Sequence, residues 1–390
     1  MHVADEPEAR ILGPQFARLA LLAGVYFVAM GATFPVMPRF LRDELGATDT
    51  VVGLVLGSMA VGAIAGRPLV GHMGDRRGRA ILMVAGGVVS ALSMLGLLLS
   101  DATVVVLLLR ILLGAGQGAT MVGATTMAID LAPGHRSGEA TSYIFVALHL
   151  GTGLGSLLGE WVLRTWSFDA VWTVSAALMA ATSLIALTLP NVVGDDHALH
   201  VDGGRNRLMH PQAIVPGAIL GVGILGFIGF NAFVPLYADE IGVGDVAPYF
   251  LATSLTIVLI RSFGARLPDR LGPRLGGTIA LVGVTAGLLV IGGWRTAIGL
   301  AVGSVVLAAG TAMLLPSLVS AAVAGVPATQ RSFALATYTL FLEISNAFGA
   351  VLFGGVAAVS DYGTAYLVSA GLAVVSLVML RALIPARTAT

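Results

Sequence analysis

Apolar residues run along this chain in stretches too long for the one-sided stripe of a water-soluble helix. The segment ALLAGVYFVAMGATFPVM, 20–37, contains no charged residue. A hydrocarbon layer about 30 Å thick takes roughly 20 apolar residues of helix to cross, and stretches of that length recur to the end of the chain. Polar breaks divide it into twelve predicted spans: 17–39, 51–70, 81–99, 103–128, 141–163, 170–189, 213–237, 247–265, 276–292, 297–322, 334–357 and 364–383. The first run is too long and too lightly flanked for a cleaved secretory signal and reads as a span. The expected fold class is therefore an all-α membrane protein of twelve transmembrane helices.

The longest polar segment is NVVGDDHALHVDGGRNRLMHPQ, 191–212, midway along the chain. It has no apolar period and reads as a linker between six-helix bundles at 1–190 and 213–390. An internal repeat supports that division. At an offset of 194 residues Arg67 maps to Arg261, Asp75 to Asp269, Arg76 to Arg270 and Gly78 to Gly272. The same offset carries Pro133 to Pro327, Ala140 to Ala334 and Gly155 to Gly349. One register holding over three regions argues for duplicated, pseudo-symmetric halves, a plan that places a substrate site between them.

Composition agrees and removes alternatives. Only 11% of residues are charged against 57% hydrophobic, and the formal net charge is zero. With no cysteine, disulfides, thiolate catalysis and Cys-based metal sites are excluded. Every basic residue is arginine, which excludes lysine Schiff-base chemistry. No basic run suggests nucleic acid as a partner. Placing the N-terminus inside puts fourteen of the 21 arginines on the inner side, with Arg39, Arg42, Arg164 and Arg295 outside. Both termini are thus expected in the cytoplasm, with the chain multi-pass in the cell's inner membrane.

The repeated charges fall where a family is identified. GHMGDRRGR, 71–79, resembles the loop signature of the major facilitator superfamily, Gly-x-x-x-Asp-Arg-x-Gly-Arg. Gly71 is read as allowing close helix approach and Gly78 as supplying a tight turn. Asp75 can accept from free N–H groups at a helix start, while Arg76 and Arg79 face anionic headgroups. The resemblance implies a gating latch between halves, with Asp130, Arg136, Asp269 and Arg270 in the same role. RILLGAGQG, 110–118, looks like the fourth-helix motif of proton-coupled members. GTGLGSLLGEW, 151–161, looks like the fifth-helix motif of drug–proton antiporters, but Ser156 stands in place of proline and Glu160 in place of the last glycine.

An ionisable residue at the middle of a span costs about 2.5–3.5 kcal/mol on insertion scales, so each needs a reason. Arg110 lies two turns into the fourth span and either governs a carboxylate, holds an anionic group or snorkels. His149 and Glu343 lie near mid-membrane at positions 194 apart. Histidine titrates near neutrality, and a carboxyl in hydrocarbon needs a partner or a proton. Both are candidate proton carriers, Glu343 the more so because its own span holds no arginine. His149, Thr152, Ser156 and Glu160 form a polar stripe on one helix, Glu343 and Asn346 on the other. Arg67 and Arg261 are expected to pair with inner-face carbonyls or acids. His197, His200 and His210 with the nearby aspartates read as solvated linker, so no metal and no cofactor is expected.

The resemblance places substrate contacts on the first, fourth, seventh and tenth helices. Tyr26, Phe27, Met30, Phe34, Gln117, Phe230 and Asn231, with Asn346 beside them, are the candidates. A surface so rich in aromatic and thioether groups suits an amphipathic organic molecule better than a sugar. The expectation is a monomeric, non-enzymatic transporter exporting a small molecule against proton influx. A proton symporter or facilitator importing a metabolite is the first alternative, and a non-transporting receptor or scaffold the second.

Overall fold

The computed structural model describes residues 13–99, 101–133, 136–193, 209–264, 267–327 and 330–385, without the side chains of Asp75, Pro268, Asp269 and Ser332. Most of the linker, with His197 and His200, lies outside the described residues.

The first span is a broken helix, α1 (Pro14–Thr33) and α2 (Met37–Asp43). Pro35 and Pro38 each lack an N–H and clash with the turn before, so the break falls at Phe34–Val36. Six helices follow: α3 (Asp49–Arg77), α4 (Arg79–Gly96), α5 (Thr103–Leu131), α6 (Ser137–Thr165) and α7 (Phe168–Leu187), then α8 (Pro211–Glu240) beyond the linker. The last five are α9 (Ala247–Phe263), α10 (Leu267–Gly293), α11 (Ala297–Ala322), α12 (Arg331–Val359) and α13 (Tyr362–Leu383). Among the described residues eleven spans are long and apolar enough to cross a membrane, and α9 is a shorter apolar helix. Local chemistry starts them. Ser167, Thr296 and Asp361 cap α7, α11 and α13 through side-chain oxygens, and prolines open α1, α8 and α9.

Two of the expected turns are helical. Residues 71–77 continue α3, and only Gly78, at φ 96°, breaks it before α4. At the repeated site a helical turn from Leu267 precedes Gly272, at φ 72°, and Pro273 then opens the long part of α10. A charged run at the membrane surface satisfies its backbone as well in a helix as in a loop, so polarity alone misplaced these ends. The positive φ at both repeat glycines is the conformation that favours glycine.

Packing sorts the helices into two groups. In the first, α1 lies on α6 and α7, α5 on α3 and α4, and α4 on α7. In the second, α10 lies on α11 and α13, α8 on α12 and α13, and α9 on α11. The groups meet along two seams, α3 against α12 and α6 against α9. The glycines of GTGLGSLLG serve the inside of the first group. An added Cβ at Gly151, Gly155 or Gly159 would strike Gly24, Val28 or Ala32 of α1.

The core is continuous at one end only. We call the side where α1 begins and α13 ends the terminal face, and its opposite the far face. Toward the far face one apolar cluster runs through both groups, joining Met37, Phe40 and Trp172 to Phe230, Phe233, Tyr237 and Phe250. Toward the terminal face the core divides. Phe16, Leu19 and Met127 belong to one cluster, Leu318, Tyr338 and Leu380 to another.

Candidate functional site

Each seam carries an arginine opposite a titratable side chain. On α3, Arg67 reaches Glu343 of α12 with 3.5 Å between Nη2 and the carboxylate, and Asn346 hydrogen-bonds the same Glu343. The expectation that no cation could hold this charge is therefore corrected, because the partner comes from another helix. On the second seam, Arg261 of α9 lies over the Phe145 ring of α6 at 5.4 Å and close enough to His149 to act on it electrostatically. Its Nε is buried without a hydrogen-bond partner. The expected pairing with an acid is thus seen for Arg67 and not for Arg261. In the stripe with His149, Thr152 and Ser156 bond within their own helix, to the Leu148 and Gly153 carbonyls, while Glu160 is engaged by Arg39 of α2.

Arg110 does not snorkel. It is 4% exposed, and its Nε and Nη1 are buried with no hydrogen-bond partner among the described residues. A guanidinium so placed is costly without an anion or polar group beside it.

The far face holds a charge network that the sequence reading missed. Arg39 of α2 donates to Glu160 of α6 at 2.8 and 3.0 Å and, with its other edge, to Asp239 of α8 at 2.8 and 3.0 Å. Arg164 of α6 pairs with Glu160 at 3.1 Å and reaches the Gly244 carbonyl and Asp245 in the α8–α9 loop. Nearby, Arg42 donates to the Tyr362 hydroxyl at 2.7 Å, which donates to Asp49 at 2.6 Å. Arg295 pairs with Asp361 at 2.8 Å. The four arginines assigned to the outside by charge counting are the cations of this face. Among the described groups here, Asp361 has its carboxyl held below the usual range, first by the Thr364 backbone N–H it caps, then by the Thr364 hydroxyl and Arg295.

At the terminal face, Arg79 meets Asp130 at 3.5 Å, and Arg136 holds Glu139 at 2.9 Å. Asn191 donates to the Arg77 carbonyl and the Arg79 N–H to that of Val192. These contacts of the α3–α4 loop stay within the first group. Arg76 and Arg270 are exposed, and the Asp75 and Asp269 side chains lie outside the described residues. Gly71 has open space where a Cβ would stand, so it makes no close approach. The absent Cβ that matters is on Gly53 and Gly57 of α3, which would otherwise strike the carbonyls of Ala350 and Ala347.

The candidate substrate residues divide by burial. Tyr26, Phe27, Met30 and Phe230 are packed inside the far-face cluster, and the Tyr26 hydroxyl meets Ser90 Oγ at 2.8 Å. Phe34 is half-buried and packs on Phe250 with ring centroids 6.2 Å apart. Gln117, Phe227, Asn231 and Asn346 are half-buried, and Asn231 donates to the Phe227 carbonyl. The amides and two of the phenylalanines, Phe34 and Phe227, thus stay at partly open positions. His210, the described linker histidine, begins α8 with its ring against Gln330.

Comparison with known proteins gives one consistent result. The chain matches the family model of the Major Facilitator Superfamily over residues 19–298 and 224–390. It is 26% identical over 376 residues to YhhS of Escherichia coli strain K12, described as an uncharacterized MFS-type transporter, covering 90% of this chain and 88% of that protein. The fold is similar to the nucleoside transporter NupG, with a TM-score of 0.78 at 17% identity, covering 95% of this chain and all (100%) of that one. It is also similar to the xylose transporter XylE of E. coli in a partially occluded inward-open conformation, with a TM-score of 0.72 at 18% identity, covering 97% and 100%.

Proposed function

Because the chain belongs to the Major Facilitator Superfamily and is a membrane transporter, we propose that it exports a small amphipathic organic molecule in exchange for protons. Two halves, residues 1–190 and 213–390 joined by 191–212, alternate access to a site between them. The observation that carries this reading is the core that runs through both helix groups at the far face and divides at the terminal face. A protein built this way has one closed entrance and one separable one, and rocking about the two seams exchanges them.

Glu343 is the proton site of this proposal. It faces Arg67 across a seam that changes as the halves move. Parting a carboxylate from its arginine in a low-dielectric setting is expensive unless something replaces the cation. A proton does so with no change in shape, and its release restores the pair. His149 and Arg110 assist by shaping the field at the site. The half-buried Gln117, Phe227, Asn231 and Asn346 bear on the substrate. The latch residues Asp75, Arg76, Gly78, Arg79, Asp130, Arg136, Asp269 and Arg270 close the terminal face in the other state. The protein acts as a monomer in the inner membrane with both termini cytoplasmic.

A second reading, proton-driven uptake of a polar metabolite, is favoured by the likeness to proteins named as nucleoside and xylose transporters. Uptake into proteoliposomes under imposed pH gradients of either sign decides between them. Export predicts substrate accumulation in the compartment more acidic than its surroundings, and symport predicts accumulation in the more alkaline one. Flux of a tested compound that ignores the pH gradient would make the protein a facilitator.

A further inference from the structure

The last glycine of the fifth-helix motif is Glu160 in this chain, and the structure gives that departure a use. We propose that Glu160 is the positioning residue of the far-face gate. It holds Arg39 and Arg164 on the first helix group so that both reach across to the second. This rests on the alternating-access reading above and names what closes one of its two entrances.

The geometry divides the network into a fixed part and a breakable part. Glu160 is buried, its side chain 5% exposed, and so is that of Arg39 at 10%. Both carboxylate oxygens of Glu160 are engaged, Oε2 by Arg39 and Oε1 by Arg39 and Arg164. One carboxylate thus serves two guanidiniums, and the trio carries a net positive charge facing the seam. Across it stand Asp239, whose side chain is 45% exposed, and Asp245, 47% exposed. Breaking a pair buried on both sides leaves an uncompensated charge in a dry setting, whereas a pair with one water-exposed partner parts more easily because water takes up the freed carboxylate. The network therefore parts at the wet junction, Arg39 from Asp239 and Arg164 from Asp245 and the Gly244 carbonyl. The buried Glu160 keeps both arginines aimed for reclosure. A gate must hold and still release, and this division of strong and weak pairs allows both.

The repeat offers an internal control. At the 194-residue offset, Glu160 corresponds to Gly354 and Arg39 to Phe233. At those two positions the residues are uncharged: Phe233 stacks on Phe353 at 5.1 Å, and the Gly354 backbone lies against Asp49, whose carboxylate accepts from Tyr362 and through it meets Arg42. The charged anchor is thus a property of one corner and not of the fold.

The chain has no cysteine, so spin labels can be placed directly in the full-length protein. Asp101→Cys in the α4–α5 loop and Gly293→Cys at the end of α10 put one label on each helix group at the far face. In detergent without substrate or pH gradient, the distance between labels reports opening. Glu160→Gln, which keeps shape and loses charge, is expected to raise the ratio of long to short distances roughly tenfold. Asp239→Asn is expected to raise it less, because Arg164 still reaches across. The double variant is expected to fall short of the product of the two single effects, since both act through Arg39. An unchanged distribution in folded, monodisperse Glu160→Gln overturns the proposal, as does a larger effect of Asp239→Asn than of Glu160→Gln. Should Glu160→Gln not fold, Glu160→Asp carries the test. Its shorter arm is expected to leave the charge but widen the distance distribution, and an unaltered distribution counts against the anchor. The readout needs no transport, so an opened gate in a protein that moves no substrate sinks the transport reading and leaves this one standing.

Discussion

The seam of α3 with α12 and the seam of α6 with α9 are built to the same plan and charged differently. Both bring a glycine-bearing helix against its neighbour, Gly53 and Gly57 against α12 and Gly153 against Ser254 of α9. Both carry an arginine at the same repeat position, Arg67 and Arg261. One arginine meets a carboxylate and the other a histidine with a phenyl ring. In the first seam, on the proposed mechanism, a proton and Arg67 compete for one anion. In the second, a protonated imidazole would add a second cation beside Arg261, so His149 serves best as a neutral group. An arginine stands in both seams, and what faces it differs, a carboxylate in one and an imidazole in the other.

The comparison breaks most sharply at Glu343. Glu343→Gln mimics the protonated carboxyl and is expected to keep substrate exchange between equal compartments. Accumulation driven by a pH gradient is expected to fall by roughly tenfold or more. Parallel exchange and accumulation assays check it, with His149→Gln as the contrast expected to retain both. If the two variants trade places, the roles of the seams are reversed.

The loops at the terminal face provide the next test. Asp75→Asn is expected to slow transport about tenfold, on the scale of a lost charge-assisted hydrogen bond. Asp269→Asn is expected to cost less than about threefold, because Pro273 stands where the repeat has Arg79. Initial rates normalised to protein in the membrane measure both.

His149→Glu makes the seams alike. A second ion pair with Arg261 is expected to raise the thermal midpoint by about 1–2 °C and to slow exchange. Thermal unfolding followed by tryptophan fluorescence reads the first, and tracer exchange the second. A lowered midpoint would mean that Arg261 cannot reach position 149.

Asp361 gives the smallest effect. Its folded-state pKa is depressed, so its contribution is present at neutral pH and is lost as pH falls through the folded value. Asp361→Ala is expected to lose about 1 kcal/mol of capping, with the difference from wild type shrinking in acid. Thermal midpoints at neutral and acidic pH check the sign.

The spans were largely legible in the sequence because the bilayer imposes one length and one composition. The span 297–322 matches α11 at both ends. Errors collected where that constraint stops, at Arg76–Arg77 of α3 and Leu267–Leu271 of α10, where charged helix and charged loop look alike. The break in the first span was signalled by Pro35 and Pro38 and passed over. The site was less legible, because its pairs join residues far apart in the chain. Glu343 and His149 announced themselves by the cost of a polar group in an apolar run. Arg67 was expected to find an acid but not which one, and Arg39 did not stand out, since an arginine at the outer end of a span already has an explanation in orientation. The signal available for the far-face network was Glu160, a carboxylate at a position the motif gives to glycine.

Arg39 also sets a problem of order during synthesis. Its buried partner Glu160 is 121 residues further along the chain and Asp239 is 200. At about 5–20 residues per second, the ribosome adds Glu160 roughly 6–24 s after Arg39 and Asp239 roughly 10–40 s after it. Through that interval the first span waits in the membrane with an uncompensated guanidinium near its far end, held by water and headgroups. The native burial of Arg39 is thus a late event, completed only when the start of the second helix group has been made. Newly made protein lacking the second group would hold Arg39 on Glu160 and leave open the edge that Asp239 takes, an edge that the finished molecule covers.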